Sequence, residues 1–205
     1  MLSFTSNLNP RSEAFAIFIT EKYTYKNKDN TLPNSTIQKI NSFLKVLKTR
    51  NKEEEISSFD ISDQQKCFII KVKNKYDNYY PEEIGGSFIS YLKKLKSIYA
   101  VDLCVDSLNQ DRDKLVKFFS KFIFGFNLKS YTFNKYKTLN KEKINKKINL
   151  KIITSYKQKI ENSYKYYDAI KQGIFLTRDL VSEPPNVLSP KAYVQEIKKL
   201  SKLGL

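Results

Sequence analysis

Histidine is absent from all 205 positions, and that removes most familiar hydrolytic chemistry at once. Ser-His-Asp and Cys-His relays, the His-Glu-x-x-His zinc site and any imidazole general base are excluded within this chain. Cys67 and Cys104 are the only cysteines, too few for a thiolate zinc site. They stand in the apolar runs Cys67-Phe68-Ile69-Ile70 and Val101-Asp102-Leu103-Cys104-Val105, and read as small buried hydrophobes rather than a disulfide. There is no Gly-x-x-x-x-Gly-Lys-Ser/Thr and no Gly-x-Gly-x-x-Gly to cradle phosphate. The acidic clusters Glu53-Glu54-Glu55 and Glu82-Glu83 lie in charged, turn-like stretches and read as solvated surface. Asp102 and Asp106 fall at the end of a predicted strand, where open α/β sheets place their ligands, yet no second partner completes a site. Gly85-Gly86 precedes a predicted helix and could admit a phosphate. Turn geometry and close helix–sheet packing account for the pair more simply.

The elements that would position such residues alternate in type. Ala14 to Ile19 is an apolar run typical of a buried strand, followed by a turn-rich stretch with Asn27, Asp29, Asn30, Pro33 and Asn34. Ile37, Ile40, Leu44 and Leu47 recur at helical spacing with Ser35 as N-cap, and Lys48 to Glu55 reads as a solvated turn. Cys67 to Val72 predicts a strand, Gly86 to Lys96 a helix, and Ile98 to Val105 a strand. Leu115, Phe118, Phe119, Phe122 and Ile123 form a wide apolar stripe that Gly125 is expected to interrupt. Leu150 to Ile153 predicts another strand. Ile160, Tyr164, Tyr167 and Ile170 begin a helix that runs to about Val181 and stops before Pro184-Pro185. Ser189 caps a last helix with Pro190 in its first turn, one face of Val194, Ile197, Leu200 and Leu203, and Gly204 at its end. The alternation predicts an α/β fold with a mixed, mostly parallel sheet flanked by helices.

The formal charge of +16 could draw nucleic acid or an anionic surface. Here it is almost all lysine and spread along the chain. Its densest run, Lys135 to Lys151 with Lys141, Lys143, Lys146 and Lys147, contains Tyr136 but no arginine, the residue that forks best onto phosphate or guanine. A composition rich in Lys, Asn, Ile, Tyr and Phe also arises from an AT-biased genome. Nucleic acid therefore remains the alternative partner and not the leading one. No apolar run approaches the roughly 20 residues of a membrane span. Met1 to Glu13 lacks a basic-then-apolar signal pattern, so the expectation is a cytoplasmic protein with no membrane partner.

The segment Gly173-Ile174-Phe175-Leu176-Thr177-Arg178-Asp179-Leu180-Val181-Ser182-Glu183-Pro184-Pro185-Asn186-Val187-Leu188-Ser189-Pro190 resembles the stretch that joins the two domains of leucyl (cytosol) aminopeptidases. In that family a helix ends in Ala-Arg-Asp-Leu-Val-Asn-Glu-Pro and is followed by Asn and a Thr-Pro or Ser-Pro helix start. Tyr131-Thr132-Phe133-Asn134-Lys135-Tyr136-Lys137-Thr138 resembles the family's Tyr-Arg-Phe-Asp-x-Tyr-Lys-Thr. Gly85-Gly86 and Ser97 to Leu103 match in order and spacing. The resemblance covers residues from about 66 onward. It departs at Lys71 to Lys75, where the family has Gly-Leu-Gly, at Ser182 for Asn and at Thr132 for Arg.

The resemblance implies a macro-domain-like amino-terminal domain over residues 1–156. Because macro domains bind ADP-ribose-like molecules, a stand-alone ligand-binding module is a further alternative, although the five scattered glycines do not supply the glycine-rich loops such sites use. Residues 157–205 would then be the interdomain helix and the first helix of a catalytic domain missing beyond Leu205. It implies a homohexameric enzyme that removes amino-terminal residues from peptides, leucine preferentially, with two divalent metals, manganese or zinc. The metal ligands of the family lie in its carboxy-terminal domain, in part on an Asn-Thr-Asp-Ala-Glu-Gly-Arg segment that this chain lacks. No catalytic or metal-binding residue is carried over. Arg178, Asp179, Glu183, Pro184, Pro185 and Asn186 are expected to form a structural motif at the interdomain connection, with Arg178 and Asp179 pinning it by charge-assisted hydrogen bonds.

Overall fold

The computed structural model describes residues 2–9, 12–27, 32–50, 54–95, 97–138 and 147–204. Asp29 and Asn30 of the predicted turn, Glu53, Lys96, Lys141, Lys143, Lys146 and Leu205 lie outside them, as does the side chain of Leu203. The strands β1 (Leu2–Thr5), β2 (Ala14–Thr20), β3 (Ile56–Ser62), β4 (Gln65–Val72), β5 (Ala100–Cys104) and β6 (Asn149–Ile153) form a six-stranded sheet in the order β1-β6-β5-β2-β4-β3. All neighbours pair in parallel except β3, which runs antiparallel to β4 at one edge.

Side chains alternate across the central strands, so each feeds two cores. Ala14, Ala16 and Phe18 of β2, with Phe68 and Ile70 of β4, face the larger core beneath helices α2 (Tyr80–Lys94), α3 (Arg112–Ser130) and α4 (Lys157–Ser182). Phe15, Ile17 and Ile19, with Cys67, Ile69 and Cys104, face Ile40 and Leu44 of α1 (Asn34–Arg50). The larger core is aromatic. Phe18 meets Phe119 edge-on at 4.6 Å and Phe122 at 5.4 Å, the geometry that ring quadrupoles favour. Both cysteines are buried and unbridged. Burial pushes the Cys104 thiol up to about 12 and Cys67 well above its usual range, so both stay neutral.

Several boundaries differ from the sequence expectations, each for a local reason. Ser35 lies inside α1, whose first bonds include Ile37 N–H to the Pro33 carbonyl, and α1 continues to Arg50, into the start of the predicted turn. α2 starts at Tyr80, with Pro81 in its first turn and Glu82 and Glu83 at its positive end, so those carboxylates belong to a helix start. β5 ends at Cys104, and Val105–Ser107 turns as a 3-10 helix. There the Ser107 hydroxyl accepts from Phe18 N–H at 2.8 Å and donates to the Cys104 carbonyl at 2.6 Å. It replaces a strand partner that β5 withdraws by turning.

The glycines are also reassigned. Gly85 and Gly86 are inside α2, and Gly125 does not interrupt α3. An added Cβ at Gly85 would stand 2.1 Å from the Phe122 carbonyl oxygen, and one at Gly125 only 1.9 Å from that of Glu82. The two glycines let α2 and α3 cross in backbone contact. Past α4 the chain turns into α5 (Pro190–Lys199), which Ser189 caps by accepting from Ala192 N–H, and a 3-10 turn ends at Gly204 with φ 81°.

Candidate functional site

Asp102 and Asp106 do not form a pair. Asp102 sits within β5, 4% exposed, in register with Lys151 of β6. Burial raises its carboxyl above the usual range, and Lys151 partly counters the shift. Asp106 lies just past the strand end. Its carboxylate accepts from Thr154 Oγ1 at 2.6 Å, Ser155 N–H at 2.8 Å and the Ser155 hydroxyl, which ties the end of β5 to the chain leaving β6. The helix starts beside this strand end are also occupied. Asp77 Oδ1 accepts from Tyr79 and Tyr80 N–H at 2.9 Å each, and Asp111 Oδ1 from Lys114 N–H at 3.1 Å. The chain's own aspartates stand where a bound phosphate would use backbone amides.

The interdomain motif expected from the resemblance is where named residues converge. α3 ends at Ser130, and the chain after it runs back along the last turns of α4. Arg178 Nη1 donates to the Leu128 carbonyl at 2.8 Å, and its guanidinium lies 5.4 Å from the Tyr131 ring centroid. The Tyr131 hydroxyl donates to Asp179 Oδ1 at 2.7 Å, and the Tyr131 ring packs on Phe175 at 5.1 Å. Burial, followed by the Asp179 carboxylate, raises the Tyr131 phenol above its ordinary value. One turn on, Glu183 accepts from Lys135 Nζ at 2.7 Å and from the Tyr136 hydroxyl. These two donors hold the Glu183 carboxyl below the usual range, and the same bond raises Lys135 and Tyr136.

Arg178 and Asp179 thus make hydrogen bonds to residues 128 and 131, not to one another. The two family-like segments, about 47 residues apart in the chain, are joined by three side-chain bonds. Beyond them Val187 and Leu188 N–H both donate to the Pro184 carbonyl at 2.9 Å, so Pro184 and Pro185 turn the chain, with Asn186 in the turn. Sequence reading missed Lys135, Tyr136 and Phe175 as members of this cluster. A Lys-Tyr pair opposite a Glu is visible in the sequence only once the two segments are known to meet.

No family model matches the chain. Relatives named "Probable cytosol aminopeptidase" do, three of them as follows. The protein of Wolbachia pipientis is 32% identical over 137 residues, 65% of this chain and 25% of that protein. That of Phytoplasma mali is 33% identical over 118 residues, 50% of this chain and 24% of the relative. That of Agrobacterium fabrum is 39% identical over 87 residues, 41% and 18%. Among solved structures, a tomato leucine aminopeptidase mutant superimposes with a TM-score of 0.72 over 98% of this chain and 42% of that one, at 16% identity.

The chain is similar in sequence and in fold to the amino-terminal region of the leucyl aminopeptidases.

Its fold is that of the tomato leucine aminopeptidase over this region, and a more distant match, the bottromycin maturation enzyme BotP in complex with Mn, shares it with a TM-score of 0.60. The chain spans a quarter or less of the curated leucyl aminopeptidase relatives it matches. Among the described residues no three of Cys, Asp and Glu gather closely enough to hold a metal ion. The described carboxylates therefore do not fit the metal pair that the leucyl aminopeptidase resemblance implies for a complete enzyme. No helix among the described residues is long and apolar enough to cross a membrane.

Proposed function

We propose that this chain is the non-catalytic amino-terminal part of a two-metal leucyl aminopeptidase that removes amino-terminal residues from peptides in the cytoplasm. The observation that carries the reading is the sequence kinship over up to 65% of the chain, against only a quarter of the relative's length. In this reading residues 1–156 are the supporting domain and 157–205 lead into the catalytic part. Metals and peptide substrate belong to that part, and assembly is a homohexamer.

The exposed residues of the connecting segment support it. Val181 is 82% exposed, and Tyr193, Val194 and Ile197 of α5 are each about half exposed, while α5 buries no residue. A helix with an apolar stripe and nothing against it gains little from folding alone. A following domain that packed on this stripe would remove that area from water. The bonds of Arg178, Asp179 and Glu183 then set the direction in which the chain leaves the first domain. The test is hydrolysis of leucine p-nitroanilide in the presence of Mn²⁺ or Zn²⁺. The expected result is no turnover by the purified 205-residue chain and turnover by a preparation that also carries the catalytic part. Metal-dependent turnover by the chain alone would overturn the reading.

A further inference from the structure

The loops that leave β4 and β5 enclose a cleft of about 660 Å³ with α3 as one wall. Lys114, Lys117 and Lys121 follow one another down α3 at helical spacing and line it, and Lys75 reaches it from the loop after β4. Its apolar wall is Phe118, 2% exposed and packed edge-on against Tyr76 at 5.7 Å. Asn109 and Gln110 line the mouth, and the Gln110 side-chain oxygen is buried without a hydrogen-bond partner.

The charge is unevenly answered. Asp77 and Asp111, the carboxylates of this cleft, are spent on the first turns of α2 and α3, and Asp111 also meets Lys114 at 3.4 Å. Lys121, with 15% of its side chain exposed, donates to the Asn78 carbonyl at 2.7 Å and lies 3.8 Å from Glu82. Among the described residues Lys75 and Lys117 have no ion-pair partner.

We propose that this cleft binds a small phosphate monoester, gripped by the ammonium groups of Lys75, Lys114, Lys117 and Lys121. A volume of this order suits a small molecule of nucleotide size and not a duplex. Lysine ammoniums act on phosphate as point charges, so the grip does not need the glycine-rich loops that this chain lacks or the helix amides that its aspartates occupy. The ester's organic part meets the half-buried Tyr76 ring, which Phe118 backs from the core, and its polar atoms meet Gln110 and Asn109. The position, outside the carboxy ends of central parallel strands, is where open α/β sheets hold ligands. Nothing in this cleft depends on the peptidase reading.

The experiment uses the whole chain at low salt, with AMP, adenosine and inorganic phosphate as probes, read by calorimetry and melting temperature. AMP is expected to bind saturably, raise the melting temperature, and weaken as salt rises from about 50 to about 200 mM and screens the ammonium–phosphate attraction. Adenosine is expected not to bind. The double variant Lys75→Ala/Lys117→Ala removes two exposed, unpaired charges and is expected to fold normally but lose AMP affinity at least tenfold. The charge-matched variant Lys191→Ala/Lys198→Ala is expected to keep it. Absence of saturable AMP binding, equal binding of adenosine, or equal loss in both double variants would overturn the proposal. So would duplex DNA that displaces AMP and loses affinity equally in both variants, since the charge would then act diffusely.

Discussion

Replacing Gly125 with alanine should break the packing on which the larger core depends. The added Cβ would lie 1.9 Å from the Glu82 carbonyl oxygen and 2.6 Å from its carbon, where ordinary contact begins at 3.4 Å. The atoms in the way are backbone, so no rotamer change relieves the clash, and α2 and α3 must separate by about 1.5 Å. That movement opens the cluster of Phe88, Phe122 and Phe126, whose rings lie 6.1 and 6.2 Å apart across the two helices. Overpacking, together with the looser ring packing it leaves behind, costs about 3–5 kcal/mol. Alanine returns about 1 kcal/mol through its higher helix propensity. The net loss is about 2–4 kcal/mol, a fall in melting temperature of roughly 5–15 °C for a chain of this size. The comparison is internal. A Cβ at Gly86 would meet its nearest neighbour at 3.7 Å and one at Gly173 would meet nothing within 4 Å, so Gly86→Ala and Gly173→Ala should be neutral or stabilising by about 0.5–1 kcal/mol. Urea and thermal unfolding followed by circular dichroism read all three. A Gly125→Ala variant as stable as the parent, or a Gly173→Ala variant as unstable as Gly125→Ala, would refute the argument.

Other expectations follow from single groups. Asp102→Asn should stabilise the protein at pH 7 by on the order of 1 kcal/mol, because it removes a buried charge with an unpartnered oxygen. Burial raises the Asp102 pKa, so its penalty is present at neutral pH and fades as pH falls toward 3.8; the gain from Asn, followed by unfolding from pH 7 to 4, should fade with it. The strap on Glu183 has the opposite sign. Its pKa is depressed from 4.5, so the strap is intact above that pH and loosens as pH falls through the lower folded value, which amide exchange at residues 180–188 should report. Cys67 and Cys104 should resist a thiol reagent in the native protein and react when it unfolds, since burial holds both thiols neutral. Rapid native labelling would contradict that.

Long apolar runs were the most legible part of the chain. Ala14 to Ile19 and Cys67 to Val72 are buried on both faces, so a continuous hydrophobic run marks them directly as central parallel strands. The edge strands were missed because they carry the weakest patterns. β1 is four partly exposed residues, and β3 reads Ile-Ser-Ser-Phe-Asp-Ile-Ser with a register shift between Asp60 and Ser62. Gly85 and Gly125 were misread because a glycine in a helix looks like a breaker until the partner helix that needs it is in place. The contacts of Arg178, Asp179 and Glu183 were foreseeable only in part. The family-like motif picks out these residues, but their partners lie about 50 positions upstream, and nothing local in the sequence encodes that meeting. The lysines of the α3 cleft are scattered in sequence and gather only when the loop after β4 folds over α3.

The proposal that this sequence is one portion of a larger enzyme is tested most directly by the native mass of the polypeptide that carries it. Intact-mass measurement of the protein purified from its own cells should give a species more than twice the mass of 205 residues, as expected of a chain that covers 42% of the tomato enzyme. A native polypeptide that ends at Leu205 and purifies without a catalytic partner would contradict the account.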